Sequence, residues 1–179
     1  KNIFLGLCYG MGGAKLTHDL GLPTVRKRFR AGGPLVEVAG PEAQRLLDTF
    51  NERAPYVRGL AERTAGAAQR RGYIRTLSGR RCHFPPKQGG GFDWAHKAIN
   101  RLIQGSSADQ TKAALVAIDK AGLPLQLQVH DEIDCSIDNA EQARAIVELM
   151  KNCVTLRVPS RVDASIGPSW GEAKPLEEK

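Results

Sequence analysis

Apolar residues recur at three- and four-residue steps in some stretches of the chain and at alternate positions in others, and the changes of period divide it into helices and hairpins. Residues 1–9 are apolar with helical spacing and run into Gly10, Gly12 and Gly13, whose permissive backbone ends helices. Residues 14–40 read as loop-rich, punctuated by Pro23, Gly32, Gly33, Pro34 and Gly40. Pro41 opens a long helical stretch to about residue 71, broken or bent near Pro55. Residues 72–86 carry β-branched and aromatic positions around Ser78-Gly79, a hairpin signal. From Phe92 to about Lys120, Ile99, Leu102, Ile103, Thr111, Ala114, Leu115 and Ile118 keep the period of one long amphipathic helix. Residues 125–137 alternate on both sides of a polar tip at His130-Asp131-Glu132, which predicts a second hairpin. A helix follows from Asn139, a good cap, to about Cys153, and a last strand covers roughly 161–166. The class is α+β, with helices concentrated early, a small antiparallel sheet late and no internal repeat.

Composition narrows the partners. The chain has 179 residues and 41% hydrophobic content, enough for one core or two small lobes and too much for a disordered tail. Its formal charge of +7, from 26 Lys and Arg against 19 Asp and Glu, favours polyanions, with nucleic acid or nucleotide the natural class. Charge alone is shared with many metabolic and regulatory proteins. Cys8, Cys82, Cys135 and Cys153 are far apart and form no CxxC pair, so neither a zinc site nor a disulfide framework is indicated. Free thiols in a reducing compartment are the expectation. No apolar run approaches the roughly 20 residues of a membrane span, and no signal peptide opens the chain, so no membrane partner is expected. Lys1, with a helical pattern already under way, reads as part of a longer chain.

Four constellations carry candidate chemistry. Lys1, Leu5 and Tyr9 lie at four-residue spacing on one side of a helix, where a cation and a ring could hold a triphosphate and stack on a base. Most apolar helices carry a lysine near one end, so the spacing by itself is common. Arg70, Arg71, Arg75, Arg80, Arg81 and Lys87 fall in a segment with no acidic residue from Gln69 to Phe92, which could grip phosphates without reading sequence or could be a solvated surface. His96, Asn100 and Gln104, beside Gly105, form a polar stripe able to test the minor-groove acceptors common to all correct pairs. On periodicity alone it is equally a wet helix face. Finally, a tight turn at Gln128-Val-His-Asp-Glu132 would present Asp131 and Glu132 rigidly, as a magnesium ligand requires, although paired acids also decorate ordinary hairpins.

The wording of these segments resembles DNA polymerase family A. Lys1-Asn-Ile-Phe-Leu-Gly-Leu-Cys-Tyr9-Gly10 is similar to the motif of its nucleotide-binding fingers helix, in which a lysine precedes Tyr-Gly by the same interval. Gly72-Tyr-Ile-Arg-Thr-Leu-Ser-Gly-Arg-Arg81 resembles its GYxxTxxGRR segment, and Ala98-Ile-Asn100 through Gln104 to Asp109 its AINxxxQGxxAD helix. Gln128-Val-His130-Asp131-Glu132 resembles its catalytic palm hairpin, and Gly167-Pro-Ser-Trp170-Gly-Glu-Ala-Lys174 its usual ending. The segments occur in the family's order, while residues 18–40 look like an insertion. Two departures stand out. Leu5 occupies a place usually held by Phe or Tyr that influences sugar discrimination, and His96 stands where bacterial members commonly have arginine and phage-type members can have histidine.

The resemblance implies fingers helices in residues 1–91 and the carboxy-terminal part of a palm, with its catalytic hairpin, in 92–179. It implies that Lys1 meets the incoming triphosphate, with Leu5 on the same nucleotide-binding face and Tyr9 stacked near the template base. Gly10, Arg80, Arg81, His96, Asn100, Gln104 and His130 would contact DNA. Asp131 would be a catalytic metal ligand and Glu132 a secondary acid. The implied cofactor is Mg2+, the partners are primer-template DNA and dNTP, and the setting is the cytoplasm of a bacterial or phage-infected cell. The family's other catalytic aspartate and its thumb would lie before Lys1, so the chain by itself is expected not to polymerise, and the sheet beside Asp131 to show an open, apolar edge. An upstream polymerase half encoded separately, and a non-catalytic DNA-binding or accessory module, are the alternatives.

Overall fold

The computed structural model describes residues 2–176, and Lys1, the expected triphosphate contact, lies outside them. The chain forms two compact units that divide between Ile103 and Gln104.

In the first unit α1 (Asn2–Cys8) closes where Tyr9 N donates to Leu5 O at 3.0 Å and Met11 N to Gly6 O at 2.8 Å, with Gly10 at φ +81° making the reversal. The stretch expected to be loop-rich contains α2 (Gly13–Asp19), with Leu16 and Thr17 buried, and an antiparallel hairpin of β1 (Val25–Arg28) and β2 (Leu35–Val38). Its periodicity was illegible because every residue of β1 is exposed. Val25 is the one apolar residue of β1, so its sequence offers no alternation to read.

Helices α3 (Pro41–Arg53) and α4 (Pro55–Arg71) are separated at Ala54, which leaves helical geometry at φ −130° and ψ 55°, as a residue before proline tends to do. Helix α4 ends on Gly72, whose φ of +71° suits glycine. The next hairpin, β3 (Tyr73–Arg75) with β4 (Arg81–His83), turns Ile74 inward, where it joins Ala68, Phe84, Ala95 and Ala98 in a core bordered by Cys82, Phe92 and Leu102.

The helix expected from Phe92 begins later. Phe92 bridges Pro86, its backbone is bracketed by the Gln69 side chain through two 3.2 Å hydrogen bonds, and Trp94 takes a left-handed φ of 61°. A 3-10 turn at Ala95–Lys97 then leads into α5 (Ala98–Lys120). Phe92 is committed to packing at Gly72, so it cannot continue a helix upstream.

In the second unit α5 continues with Thr111, Ala114 and Ile118 buried. Strands β5 (Leu125–Val129) and β6 (Glu132–Cys135) form the expected hairpin, with an irregularity of register between Leu125 and Leu127. Helix α6 (Ala140–Asn152) is capped by Asn139, whose Oδ1 accepts from Glu141 N and Gln142 N at 3.0 Å each. Its Ala143 and Ile146 are buried. The expected strand at 161–166 shortens to β7 (Ser165–Ile166), because only β8 (Lys174–Pro175) pairs with it.

The α+β class stands, with the strands forming four separate two-stranded antiparallel ribbons among the described residues. No third strand joins β5 and β6 there, and Leu127 and Val129 are exposed. No described helix is long and apolar enough to cross a membrane.

Candidate functional site

A two-residue turn carries the expected metal ligand. Val129 pairs with Glu132, so His130 and Asp131 alone connect β5 to β6, and Glu132 is the first residue of the returning strand rather than part of the tip. His130 adopts φ 54°, the left-handed conformation such turns demand, and its carbonyl accepts from Gln128 Nε2. The side chains of Asp131 and Glu132 are exposed and take part in no ion pair among the described residues. The structure therefore gathers His130, Asp131 and Glu132 at one constrained bend, with two hard oxygen donors side by side.

Strand alternation adds a residue that the sequence reading missed. Asp134 pairs with Leu127 two positions from the Glu132–Val129 pair, so it shares the face of Glu132. Its Oδ1 accepts from Trp170 Nε1 at 3.1 Å, while its buried Oδ2 has no partner among the described residues. Burial first, and the Asp134 charge second, push the Cys135 thiol above its ordinary pKa. The signal for Asp134 was present as an acid at i+2 from Glu132 on a predicted strand.

No group of three or more His, Cys, Asp or Glu is arranged to hold a metal among the described residues. Asp131 and Glu132 match the oxygen chemistry that magnesium prefers and could supply part of a coordination sphere of the kind that substrate phosphates and water complete.

In the first unit, Leu5 and Tyr9 lie one turn apart at the end of α1, Leu5 exposed and Tyr9 half-buried, with Gly10 at the reversal. Arg80 and Arg81 follow the tight turn of the β3–β4 hairpin. Thr76, buried, fixes that turn: its N donates to Arg80 O at 2.9 Å, its Oγ1 accepts from Arg80 N at 3.1 Å, and Gly79 sits at φ +88°. The pairs Tyr73–His83 and Arg75–Arg81 share the outer face, and the Arg81 guanidinium lies 4.9 Å from the Tyr73 ring centroid. Two arginines are thus held on a rigid ribbon whose other face is core.

His96 is exposed on the 3-10 turn and Asn100 half-buried one turn along, its Oδ1 without a partner among the described residues. Buried polar atoms are normally paired, and water or a ligand commonly satisfies those left over. Arg101, unmarked in the sequence, donates to His83 O at 2.7 Å and stacks on Phe84 at 4.4 Å, tying the start of α5 to the basic hairpin. Gln104, exposed, is the next step of the stripe and lies beyond the division between the units.

Comparison with known proteins gives a consistent result. The model of the family described as DNA polymerase family A matches residues 1–172. The DNA-directed DNA polymerase of Pseudomonas phage M6 is 48% identical over 191 residues, covering 97% of this chain and 29% of that protein. DNA polymerase I of Pseudomonas aeruginosa is 36% identical, covering 97% of this chain and 19% of its own length. Among solved structures, the POL domain of Pol1 from M. smegmatis, in complex with DNA primer-template and dNTP, aligns at a TM-score of 0.68 and 28% identity, over 88% of this chain and 27% of that one. The chain thus spans under a third of the length of these relatives. The motif order, the Asp131 turn and the match through residue 172 lead to one conclusion: this chain belongs to DNA polymerase family A.

Proposed function

We propose that this chain forms the fingers and the carboxy-terminal part of the palm of a template-directed DNA polymerase, acting in the cytoplasm on primer-template DNA and dNTP. The observation that carries the reading is the two-residue turn holding Asp131 next to Glu132, in a chain that matches the family over residues 1–172. In this reading residues 1–91 serve as fingers and 92–179 as palm. The face of Lys1, Leu5 and Tyr9 meets the nucleotide, and Gly10, Arg80 and Arg81 meet DNA. His96, Asn100 and Gln104 test the fresh pair through acceptors common to all four pairings. His130 lies near the primer terminus, whose 3′-hydroxyl attacks the α-phosphate in line while pyrophosphate leaves.

Asp131, assisted by Glu132, would hold Mg2+, which when bound neutralises charge on the phosphates and lowers the pKa of the attacking hydroxyl. Such chemistry needs further carboxylate ligands, and the described residues contain no complete cluster. The chain alone is therefore proposed to bind substrates without extending primers.

A chimaera tests this: residues 1–179 replace the matching part of the Pseudomonas phage M6 polymerase, and primer extension is measured with magnesium and four nucleotides. Extension by the chimaera, abolished by Asp131→Ala and absent from the chain alone, is the expected result. A folded chimaera that binds primer-template but never extends it would sink the catalytic reading and favour a non-catalytic DNA-binding module. Extension by the isolated chain would overturn its proposed incompleteness.

A further inference from the structure

The polymerase reading gives no task to the strongly charged β1–β2 hairpin. Arg26, Lys27, Arg28 and Arg30 fall within five positions, and all of β1 is exposed. Glu37 is the single acid between Leu20 and Pro41. It stands opposite Arg26, with Nε to Oε1 at 3.9 Å. Lys27, Arg28 and Arg30 have no acidic partner among the described residues. Between the last two, Phe29 is 70% exposed and makes no ring contact with a described residue. Lys27 and Arg28 project to opposite faces of β1, so with Arg30 and Phe29 they surround the end of the hairpin, and a strand wrapping that end would have its phosphates neutralised and a base stacked.

The base of the hairpin is built as firmly as its tip is bare. The Pro23 carbonyl lies so close to Gly40 that a Cβ there would collide with it, and Gly40 is buried. A Cβ on Gly13 of α2 would come within 2.8 Å of Ala39 Cβ and 3.1 Å of Leu47 of α3. The two ends of the hairpin are therefore seated on α2 and α3, while the cations and Phe29 stand beyond them in solvent.

We infer that this hairpin is a contact surface for single-stranded nucleic acid, with Lys27, Arg28 and Arg30 along the phosphates and Phe29 against an unpaired base. The inference rests on the polymerase reading, in which the unpaired strand is template beyond the primer end. An intact duplex is the poorer fit, because a ring can reach the face of a base there only by unstacking the helix.

Fluorescence anisotropy with the 179-residue chain tests it on three labelled DNAs: a blunt duplex, the same duplex with a 5′ oligo-dT overhang, and free oligo-dT. The variants are Lys27→Gln/Arg28→Gln/Arg30→Gln together and Phe29→Ala alone, all at exposed positions, with far-UV circular dichroism to establish folding. The expected result is a roughly ten-fold or greater loss on the overhang DNA for each. For the triple variant the salt-dependence slope should fall by about 2, near 0.7 for each lost single-strand contact. Affinity for the blunt duplex should not change. Unaltered binding to all three DNAs, or equal losses on blunt and overhang DNA, would overturn the inference while duplex binding leaves the polymerase reading standing. Hairpin-dependent binding of oligo-dT without any duplex binding would support the hairpin and count against the polymerase reading.

Discussion

The indole Nε1 of Trp170 donates to Asp134 Oδ1 across 3.1 Å, linking a residue 36 positions downstream to the strand that leaves the Asp131 turn. It is the one hydrogen bond made by the Asp134 carboxylate among the described residues, since the other oxygen is buried without a partner. Trp170→Phe keeps the ring and removes the donor. A hydrogen bond to a charged group at this partly exposed position contributes about 1 kcal/mol, so Tm should fall by roughly 2–4 °C. An unchanged melting curve would show that water replaces the indole at no cost.

Cys135 responds to the same carboxylate. Its pKa is raised by burial and, secondarily, by Asp134, so Asp134→Asn should lower the pH midpoint for its alkylation by iodoacetamide. For stability the sign follows from proton counting. Above the ordinary thiol pKa the unfolded chain loses this proton first, so folding weakens as pH rises from there through the raised value. The alkaline limb of a pH-stability profile should flatten in Asp134→Asn, and an identical limb would contradict the assignment.

His130→Gly separates backbone from chemistry. Glycine takes φ 54° without steric strain, and its greater loss of freedom on folding offsets that relief, so stability should change by less than about 1 kcal/mol. His130→Val forces a β-branched residue into the same geometry and should cost about 1–2 kcal/mol. Urea denaturation reads both, and primer extension by the chimaera carrying His130→Gly reads the loss of the imidazole.

Gly72→Ala should be among the most damaging single-methyl additions. A Cβ there would lie 2.5 Å from the Phe92 ring while the backbone holds φ +71°. Left-handed strain and overpacking together predict a loss of about 2–4 kcal/mol, measurable by the same denaturation.

Arg81→Ala should weaken duplex binding by this chain and lower its salt slope by about 0.9, the value for one phosphate contact. An unchanged slope would mean that Arg81 serves only to stack on Tyr73.

Legibility in the sequence followed burial for most elements. Helices α3 to α6 and the β3–β4 hairpin turn residues into a core, and their periods announced them; the β5–β6 hairpin, which buries none of its residues fully, was announced by its alternation and motif wording instead. The β1–β2 hairpin buries almost nothing along its length and read as loop, while the strand expected at 161–166 is present only as its last two residues, β7. The start of α5 was misplaced because Phe92 is apolar on account of Gly72, a partner 20 residues earlier, and not because of a helix face. Motif wording located Asp131, but not Asp134 or Arg101. Their significance lies in bonds to Trp170 and to the carbonyl of His83, distant in sequence.

The closeness of Pro23 to Gly40 has a consequence for how this part of the chain can change. A segment whose two ends already touch can be lengthened, shortened or exchanged while the junction and its neighbours stay as they are, because each doubling of loop length adds only about 0.6 kcal/mol of closure entropy. The pinch leaves the tip, residues 29–34, as the place where a fluorophore or a foreign peptide could be inserted without disturbing helices α2 and α3.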